Sequence, residues 1–107
     1  MTFEIVVAPD AAQVLRKLSG HERALVTDTI NRHLRHEPTK VSKSRIKRLR
    51  GLSQPQYRLR VGDIRVFYDV TETTVHVLAI IPKAQAQAWL EEKSSPGPDG
   101  GTGAGEG

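Results

Sequence analysis

The chain has 107 residues, of which 37% are hydrophobic and 26% charged, and its formal net charge at pH 7 is +4. This length suits one small domain, no segment approaches the ~18 apolar residues of a membrane span, and no secretory signal pattern opens the chain. Cysteine is absent, which excludes disulfides, thiolate metal sites and a cysteine nucleophile. We therefore expect a cytoplasmic protein.

The first part of the chain predicts a strand followed by two helices. Residues 3–7 are β-prone and predict the strand. Pro9 suits a first helical turn, apolar residues then recur at helical spacing, and Gly20 is expected to end this helix. A second helix begins near His21 and stops before Pro38. The short link between the helices predicts an antiparallel pair.

The second half predicts a sheet and one more helix. Alternating or β-prone segments predict strands at 57–61, 64–68 and 73–81, and residues 45–52, whose alternation is imperfect, are a further candidate strand. Gly62-Asp63 is a two-residue hairpin signal, since glycine supplies a positive φ, and Pro82 opens the last helix. The order β-α-α-β-β-β-α predicts an α+β fold, with two antiparallel helices and a short C-terminal helix packed on one face of a small antiparallel sheet.

The end of the chain differs in composition from the rest. Residues 94–107 hold six of the nine glycines and no basic residue. Such a segment has almost nothing to bury, so we expect a folded domain over 1–93 and a disordered tail over 94–107. Without the tail's two acids, 16 basic residues face 10 acidic ones, a balance of +6. The basic character therefore belongs to the predicted domain.

Nine of the sixteen basic residues lie in one stretch of the chain. They are Lys40, Lys43, Arg45, Lys47, Arg48, Arg50, Arg58, Arg60 and Arg65, and only Asp63 opposes them. This density is typical of a surface that binds a polyanion or an acidic protein. A solvated surface that serves only solubility is the alternative.

The hairpin register brings several of these charges together. A two-residue loop places Arg60 opposite Arg65 and Arg58 opposite Phe67, on the face that is polar in the alternation. Like charges that face each other across two strands cost roughly 0.2–1 kcal/mol. The pattern favours an anion bound between the arginines over a chance arrangement.

The acids constrain what chemistry is available. No group of Asp and Glu accompanies the basic strands, which disfavours a carboxylate-bound two-metal nuclease, and we expect no metal and no cofactor. RNA cleavage by its own 2′-hydroxyl would still need a proton acceptor and donor. Arginine stays protonated, so only Lys83 and His76 are candidates. The other histidines form no metal-ligand pattern.

Two segments carry a resemblance to a known family. Residues 47–52 read KRLRGL, and residues 57–68 read YRLRVGDIRVFY. A hydrophobic strand follows, with Lys83 near its end. With the order of elements, this pattern resembles the RelE/ParE superfamily of type II toxin–antitoxin toxins over about residues 1–92.

The resemblance implies a function and partners. The RelE branch consists of metal-independent endoribonucleases (mRNA interferases) that cleave mRNA in the ribosomal A site and inhibit translation. It implies three partners, a cognate antitoxin protein, the ribosome and mRNA, and no membrane. The positions that match its catalytic residues are Arg58, Arg60, Arg65 and Lys83. The neighbouring basic residues form the predicted RNA-binding set, Lys43, Arg45, Lys47, Arg48 and Arg50.

One departure from the family keeps two alternatives open. RelE-type enzymes usually carry an Arg after the last strand and a Tyr or His near the C-terminus, whereas residues 82–90 read PKAQAQAWL. The ParE branch, which inhibits DNA gyrase, needs no such proton donor. A toxin of the ParE type is one alternative, and a non-catalytic module that binds RNA or its antitoxin is the other.

Overall fold

The computed structural model describes residues 2–97. Its elements, in chain order, are β1 (Glu4–Val7), α1 (Pro9–Lys17), α2 (Gly20–Leu34), β2 (Ile46–Arg48), β3 (Leu52–Gln54), β4 (Tyr57–Val61), β5 (Ile64–Val70), β6 (Thr74–Pro82), α3 (Lys83–Lys93) and β7 (Ser95–Pro96). The predicted α+β class and the order of helices and main strands are confirmed. None of the helices in this range is long and apolar enough to span a membrane.

The two N-terminal helices are joined by a tight capped turn. Pro9 occupies the first turn of α1, where its missing N–H is not needed. Ser19 caps α2 and accepts a hydrogen bond from the backbone N–H of Glu22 at 3.1 Å. Gly20, which was expected to end the first helix, is therefore the first residue of the second.

The main sheet has five strands in the order β1-β6-β5-β4-β2. Strands β4, β5 and β6 form an antiparallel meander, and β2 pairs antiparallel with β4. Strand β1 pairs parallel with β6, so the sheet is mixed and the expectation of a wholly antiparallel sheet was wrong. The reason is the helical pair, which carries the chain across the sheet before β6 pairs with β1.

The hydrophobic core lies between one face of this sheet and the helices α1 and α2. Val66 and Tyr68 of β5 point into it and meet Ala11 of α1 and Val26 of α2. The Tyr68 hydroxyl donates a buried hydrogen bond of 2.6 Å to the carbonyl of Pro38, which follows α2. This bond satisfies the one polar atom of a side chain that is otherwise fully enclosed.

The other face of the sheet is partly covered by α3. Phe67 points away from the main core, and its ring stacks on Trp89 of α3 with centroids 5.0 Å apart. The helices thus cover both faces, and the expectation that all of them pack on one face was wrong. Alternation along β5 explains this, because Phe67 is apolar at a position where its neighbours on that face are polar.

A second, two-stranded sheet closes the end of the described chain. The predicted strand 45–52 is divided at Gly51, which has a φ of +80°, so β2 ends before it and β3 follows it. Strand β3 then pairs with β7, formed by Ser95–Pro96. The predicted tail 94–107 begins with these residues, and from 98 onward it lies outside the described residues.

Candidate nucleic-acid interface

The hairpin of β4 and β5 has the predicted register. Gly62 adopts a φ of +58° in the two-residue turn, and Val61 pairs with Ile64. Arg60 then faces Arg65, and Arg58 faces Phe67, as expected from the alternation. The hairpin turn therefore fixes three arginines on the face of the sheet that is opposite the main core. We refer to Arg58, Arg60 and Arg65 as the arginine cluster.

Arg65 is the most enclosed member of the cluster. Its side chain is buried, and its Nη1 donates to the carbonyls of Gly62 at 2.8 Å and Ile64 at 3.2 Å. These bonds anchor the guanidinium at the hairpin turn. The carbonyl oxygens that accept them are neutral, so the positive charge is not neutralised. Arg60, directly across, is exposed. One face of the hairpin therefore presents one fixed and one free cation side by side.

Arg58 is half-buried and poorly compensated. Its Nε is enclosed and has no hydrogen-bond partner within the part of the chain that the structure describes. Partial burial, together with the positive charges of Arg65 and Arg60, lowers the pKa of Arg58. A guanidinium remains charged under such conditions, so the protein holds a cation where its solvation is incomplete. An anion bound at the accessible part of the Arg58 guanidinium would compensate its charge.

The ion pairs of the described residues lie outside the arginine cluster. Within residues 2–97, the ion pairs join Arg32 to Asp28, Lys40 to Glu37 and Lys93 to Glu92. No member of the arginine cluster is paired with an acid in this range. The cluster is thus a set of guanidinium donors, one of them anchored, without a carboxylate partner among these residues, and such donors bind phosphate well.

Two lysines border the arginine cluster. The backbone N–H of Lys83, the first residue of α3, donates to the carbonyl of Asp63 in the hairpin turn at 2.7 Å. Lys83 is therefore held at the end of the sheet where Arg65 is anchored, and its side chain is exposed. Lys47 pairs with Arg58 across β2 and β4, so it lies on the same face as the cluster.

The remaining predicted RNA-binding residues occupy three different places. Arg45 precedes β2, and its Nη1 donates to the carbonyl of Arg60 at 2.8 Å, at the edge of the cluster. Lys43 and Arg50 are exposed in the loops on either side of β2. Arg48 lies on the opposite face of the sheet, the one that carries the main core. Its guanidinium is 5.2 Å from the ring centre of Tyr57 and donates to the Gln56 carbonyl at 2.7 Å. Arg48 thus lies apart from the others.

The groups suited to proton transfer lie away from the cluster, except for Lys83. His76 pairs with Asp69 near the far end of β5, whereas Arg65 pairs with Ile81. At about 3.3 Å per residue, this separates His76 from Arg65 by roughly 15 Å along the strands. In α3, the aromatic residue is Trp89, whose indole offers no exchangeable proton of suitable pKa.

Two features of the site were not predicted from the sequence. One is the contact of Arg45 with Arg60, whose only sequence signal is the extension of the β2–β4 register by one residue. The other is the stacking of Trp89 on Phe67. Across residues 2–97, no three His, Asp or Glu side chains are grouped as a metal site would need.

Comparisons with known proteins identify the fold. No family model matches the sequence, and no curated protein matches it significantly. Among solved structures, the RelE–RelB complex of Pyrococcus horikoshii matches with a TM-score of 0.66 and 24% identity, over 79% of this chain and 99% of that one. The RelB–RelE complex of Methanococcus jannaschii matches with 0.61 and 20%, over 78% and 96%. The RelBE2 toxin–antitoxin complex of Mycobacterium tuberculosis matches with 0.58 and 25%, over 77% and 99%.

The predicted resemblance is thereby confirmed in three dimensions. Each match covers nearly the full length of the solved chain, and it includes most of the described residues of this protein. The protein has the RelE-like fold, with the arginine cluster on its central hairpin.

Proposed function

We propose that this protein is the toxin of a type II toxin–antitoxin system, and that it cleaves mRNA on the ribosome without a metal ion. The observation that carries the proposal is the arginine cluster, which holds three cations with no carboxylate partner in the described range 2–97, on a RelE-like fold. A phosphodiester in this position would receive charge-assisted hydrogen bonds that strengthen as negative charge develops on its oxygens.

The cleavage would use the RNA's own 2′-hydroxyl as nucleophile. Its oxygen forms a bond to the adjacent phosphorus while the bond from phosphorus to the 5′ oxygen breaks. The products are a 2′,3′-cyclic phosphate and a free 5′-hydroxyl. Arg58 and Arg65 bind the non-bridging oxygens, and exposed Arg60 positions the strand. Stabilising the added charge of the transition state is the main contribution these residues make.

Proton transfer is assigned to Lys83 and solvent. In its charged form Lys83 can donate a proton to the leaving 5′ oxygen, while water accepts the proton of the 2′-hydroxyl. Lys83 begins α3 directly beside the hairpin turn, which supports this role. Because α3 offers neither Tyr nor His, we expect slow cleavage. The predicted RNA-binding residues around the cluster, Lys47 foremost, would hold the flanking backbone.

The absence of Tyr and His in α3 keeps two other candidate functions open. A toxin that inhibits DNA gyrase would need no proton donor at this position, and a non-catalytic module that binds RNA or its antitoxin would need none either. All three candidates keep an antitoxin as partner, since the matched structures are toxin–antitoxin complexes. The ribosomal target would place the protein in the cytoplasm.

The test is cleavage mapping on ribosomes stalled on a defined message. The full 107-residue chain is used, because Ser95–Pro96 pairs with β3 and truncation at 93 would remove that contact. Primer extension should show a cut within the A-site codon. The cut should vanish in Arg60→Ala and in the double variant with Arg65→Ala. It should remain in Arg16→Ala, which removes an exposed arginine from α1.

An intact message would overturn the nuclease. If the folded protein still arrests growth, a gyrase supercoiling assay then decides between the two toxin mechanisms. If neither assay responds and RNA binding persists, the non-catalytic module is correct. Arg60 is exposed, so its single replacement keeps the test informative even if removing buried Arg65 disturbs folding.

A further inference from the structure

A cavity outside the arginine cluster lies where α2 ends and β2 begins. Its volume is about 280 Å³. It is lined by Arg32, His33, Glu37, Lys40, Ser42, Arg45 and Ile46. This volume is near the lower limit for small-ligand sites, which suits a single compact group rather than a large organic ligand.

The charge of this cavity is positive. Arg32, Lys40 and Arg45 line it together with the carboxylate of Glu37, and Arg32 is already paired with Asp28 at 2.8 Å. That carboxylate is 3.7 Å from the Lys40 ammonium, a loose contact between two exposed side chains that an anion could displace. Arg45 has no carboxylate partner among residues 2–97 and donates to the Arg60 carbonyl. At least one cation of the cavity is therefore uncompensated.

The cavity wall is fixed by hydrogen bonds before any ligand binds. The Ser42 hydroxyl accepts from the backbone N–H groups of Arg45 at 3.0 Å and Ile46 at 3.2 Å. The Ser42 backbone N–H donates to the Ile46 carbonyl at 2.9 Å. These bonds fold the loop back on itself and hold Arg45 between the cavity and β4. A preformed wall lowers the ordering cost of binding.

The pKa of His33 reflects its partial burial and the positive charge around the cavity. Partial burial, together with the positive charges of Arg45 and Arg32, lowers its pKa. The charged groups that face it are Arg32 on its own helix, Glu37 and Lys40 after the helix, and Arg45 before β2. An anion in the cavity would reverse this effect, because it favours the protonated imidazole.

We propose that this cavity is a second phosphate-binding site, which takes a backbone phosphate of the same RNA that contacts the arginine cluster or of the ribosomal RNA beside it. The inference rests on the proposed function only in taking RNA as the ligand. Arg45 connects the two sites, because it faces the cavity and is bonded to Arg60 of the cluster. Neighbouring strands lie about 4.8 Å apart, so the cavity lies one strand beyond the hairpin, and RNA bound to the cluster would have to pass around the β2 edge of the sheet to reach it.

The experiment measures binding of a labelled single-stranded oligoribonucleotide to the full chain and to Lys40→Gln and His33→Gln. Lys17→Gln is the matched control, since Lys17 is exposed at the end of α1, beside the start of α2. Helix α2 is about 20 Å long, so Lys17, near its start, is far from the cavity at its end. We expect Lys40→Gln to weaken binding roughly three- to tenfold and to reduce the slope of log K against log salt by about 0.7, one phosphate contact to single-stranded RNA. Lys17→Gln should change neither quantity.

The pH dependence supplies a readout that a merely structural role would not move. Binding should tighten as pH falls from about 8 to 5, because the bound phosphate raises the pKa of His33 and binding takes up a proton. His33→Gln should lose most of this dependence. In an NMR titration, sulfate, whose charge is constant over this range, should shift the His33 titration upward.

Two assays, binding of the oligoribonucleotide and co-sedimentation with ribosomes, distinguish the source of the phosphate. Weaker oligonucleotide binding by Lys40→Gln indicates the message, whereas weaker co-sedimentation with ribosomes alone indicates ribosomal RNA. Wild-type affinity and salt slope in both variants, with an unmoved His33 titration, would overturn the proposal. So would binding of a polyglutamate peptide that depends on Lys40 while RNA binding does not. If the mapped cleavage fails but the Lys40 and His33 effects remain, the nuclease is wrong and the site stands.

Discussion

Replacing Arg58 by methionine is expected to make the protein more stable while weakening its binding to RNA. Arg58 is half-buried, its Nε lacks a hydrogen-bond partner among residues 2–97, and partial burial together with two other cations lowers its pKa. Methionine keeps the unbranched aliphatic stem of arginine and its packing but removes the charge and the unsatisfied N–H. The fold should therefore gain from a change that the RNA-binding surface cannot tolerate.

The size of the stability gain follows from two local costs. An enclosed donor without a partner costs about 1–3 kcal/mol, and the lower end applies because only Nε is enclosed. Repulsion by Arg60 and Arg65 contributes a few tenths of a kcal/mol, given that the side chain is partly solvated. Together these predict a free energy of unfolding that is higher by about 1–2 kcal/mol.

Urea denaturation of the full chain measures this change. With a slope of about 2 kcal/mol/M, the midpoint should rise by roughly 0.5–1 M, and the melting temperature by about 5–10 °C. Arg50→Met is the control, because Arg50 is exposed in the loop after β2 and its loss should stay within about 0.5 kcal/mol. Affinity for a single-stranded oligoribonucleotide should fall roughly tenfold in Arg58→Met, as expected for one charge-assisted contact.

The reasoning would be refuted by either of two results. If Arg58→Met unfolds at a lower urea concentration than the parent, the guanidinium makes a net stabilising contact that the geometry does not reveal. If the variant is more stable and binds RNA unchanged, Arg58 is strained for a reason unrelated to phosphate. High salt supplies an internal check, since it should shrink the repulsive part of the gain.

Three further predictions concern binding and the two faces of the sheet. RNA affinity should fall tenfold or more between 50 and 200 mM salt if several phosphates are contacted, and a flat response in a filter-binding titration would indicate an apolar protein partner instead. Tyr68→Phe should lower the free energy of unfolding by about 1–2 kcal/mol in urea, because the Pro38 carbonyl loses its 2.6 Å donor. Burial raises the pKa of Tyr68, so the contribution of Tyr68 to wild-type stability should be constant below pH ~10 and fall above it, a decline that Tyr68→Phe should largely lack. Trp89→Ala should lower the free energy of unfolding in urea by about 2 kcal/mol through loss of the stack on Phe67, and unchanged stability would mean that α3 does not depend on the stack. In the wild type, the fluorescence of Trp89, the single tryptophan, should shift to the red when α3 is released.

Local patterns were sufficient to predict the centre of this fold. The strict alternation of residues 57–61 and the glycine of the turn defined the hairpin, and its register followed because a two-residue loop leaves one pairing. The arginine cluster could be predicted for the same reason, since its three members are fixed by that register alone. Their roles in RNA binding and cleavage stay predictions.

The features that were missed depend on contacts between distant parts of the chain. The sequence of β1 predicts a strand but not whether it pairs parallel or antiparallel. Its direction is determined by its contact with β6, about seventy positions away in the chain. Trp89 and Phe67 are 22 positions apart, and no local period links them. The cavity behind Arg45 requires the end of α2 and the start of β2 to meet, which the polar loop between them does not indicate.

The parallel pairing of β1 with β6 has a consequence for the order of folding. Its first contact joins Glu4 to Thr74, seventy positions apart, whereas the meander β4-β5-β6 is built from neighbours in the chain. Closing so long a loop is slow, so the meander with its arginine cluster should form before β1 docks. During synthesis β1 emerges early but must wait for β6, and in the finished protein it is an edge strand. We therefore expect its amides to exchange with solvent faster than those of β5, so that this edge is the first part of the sheet to open.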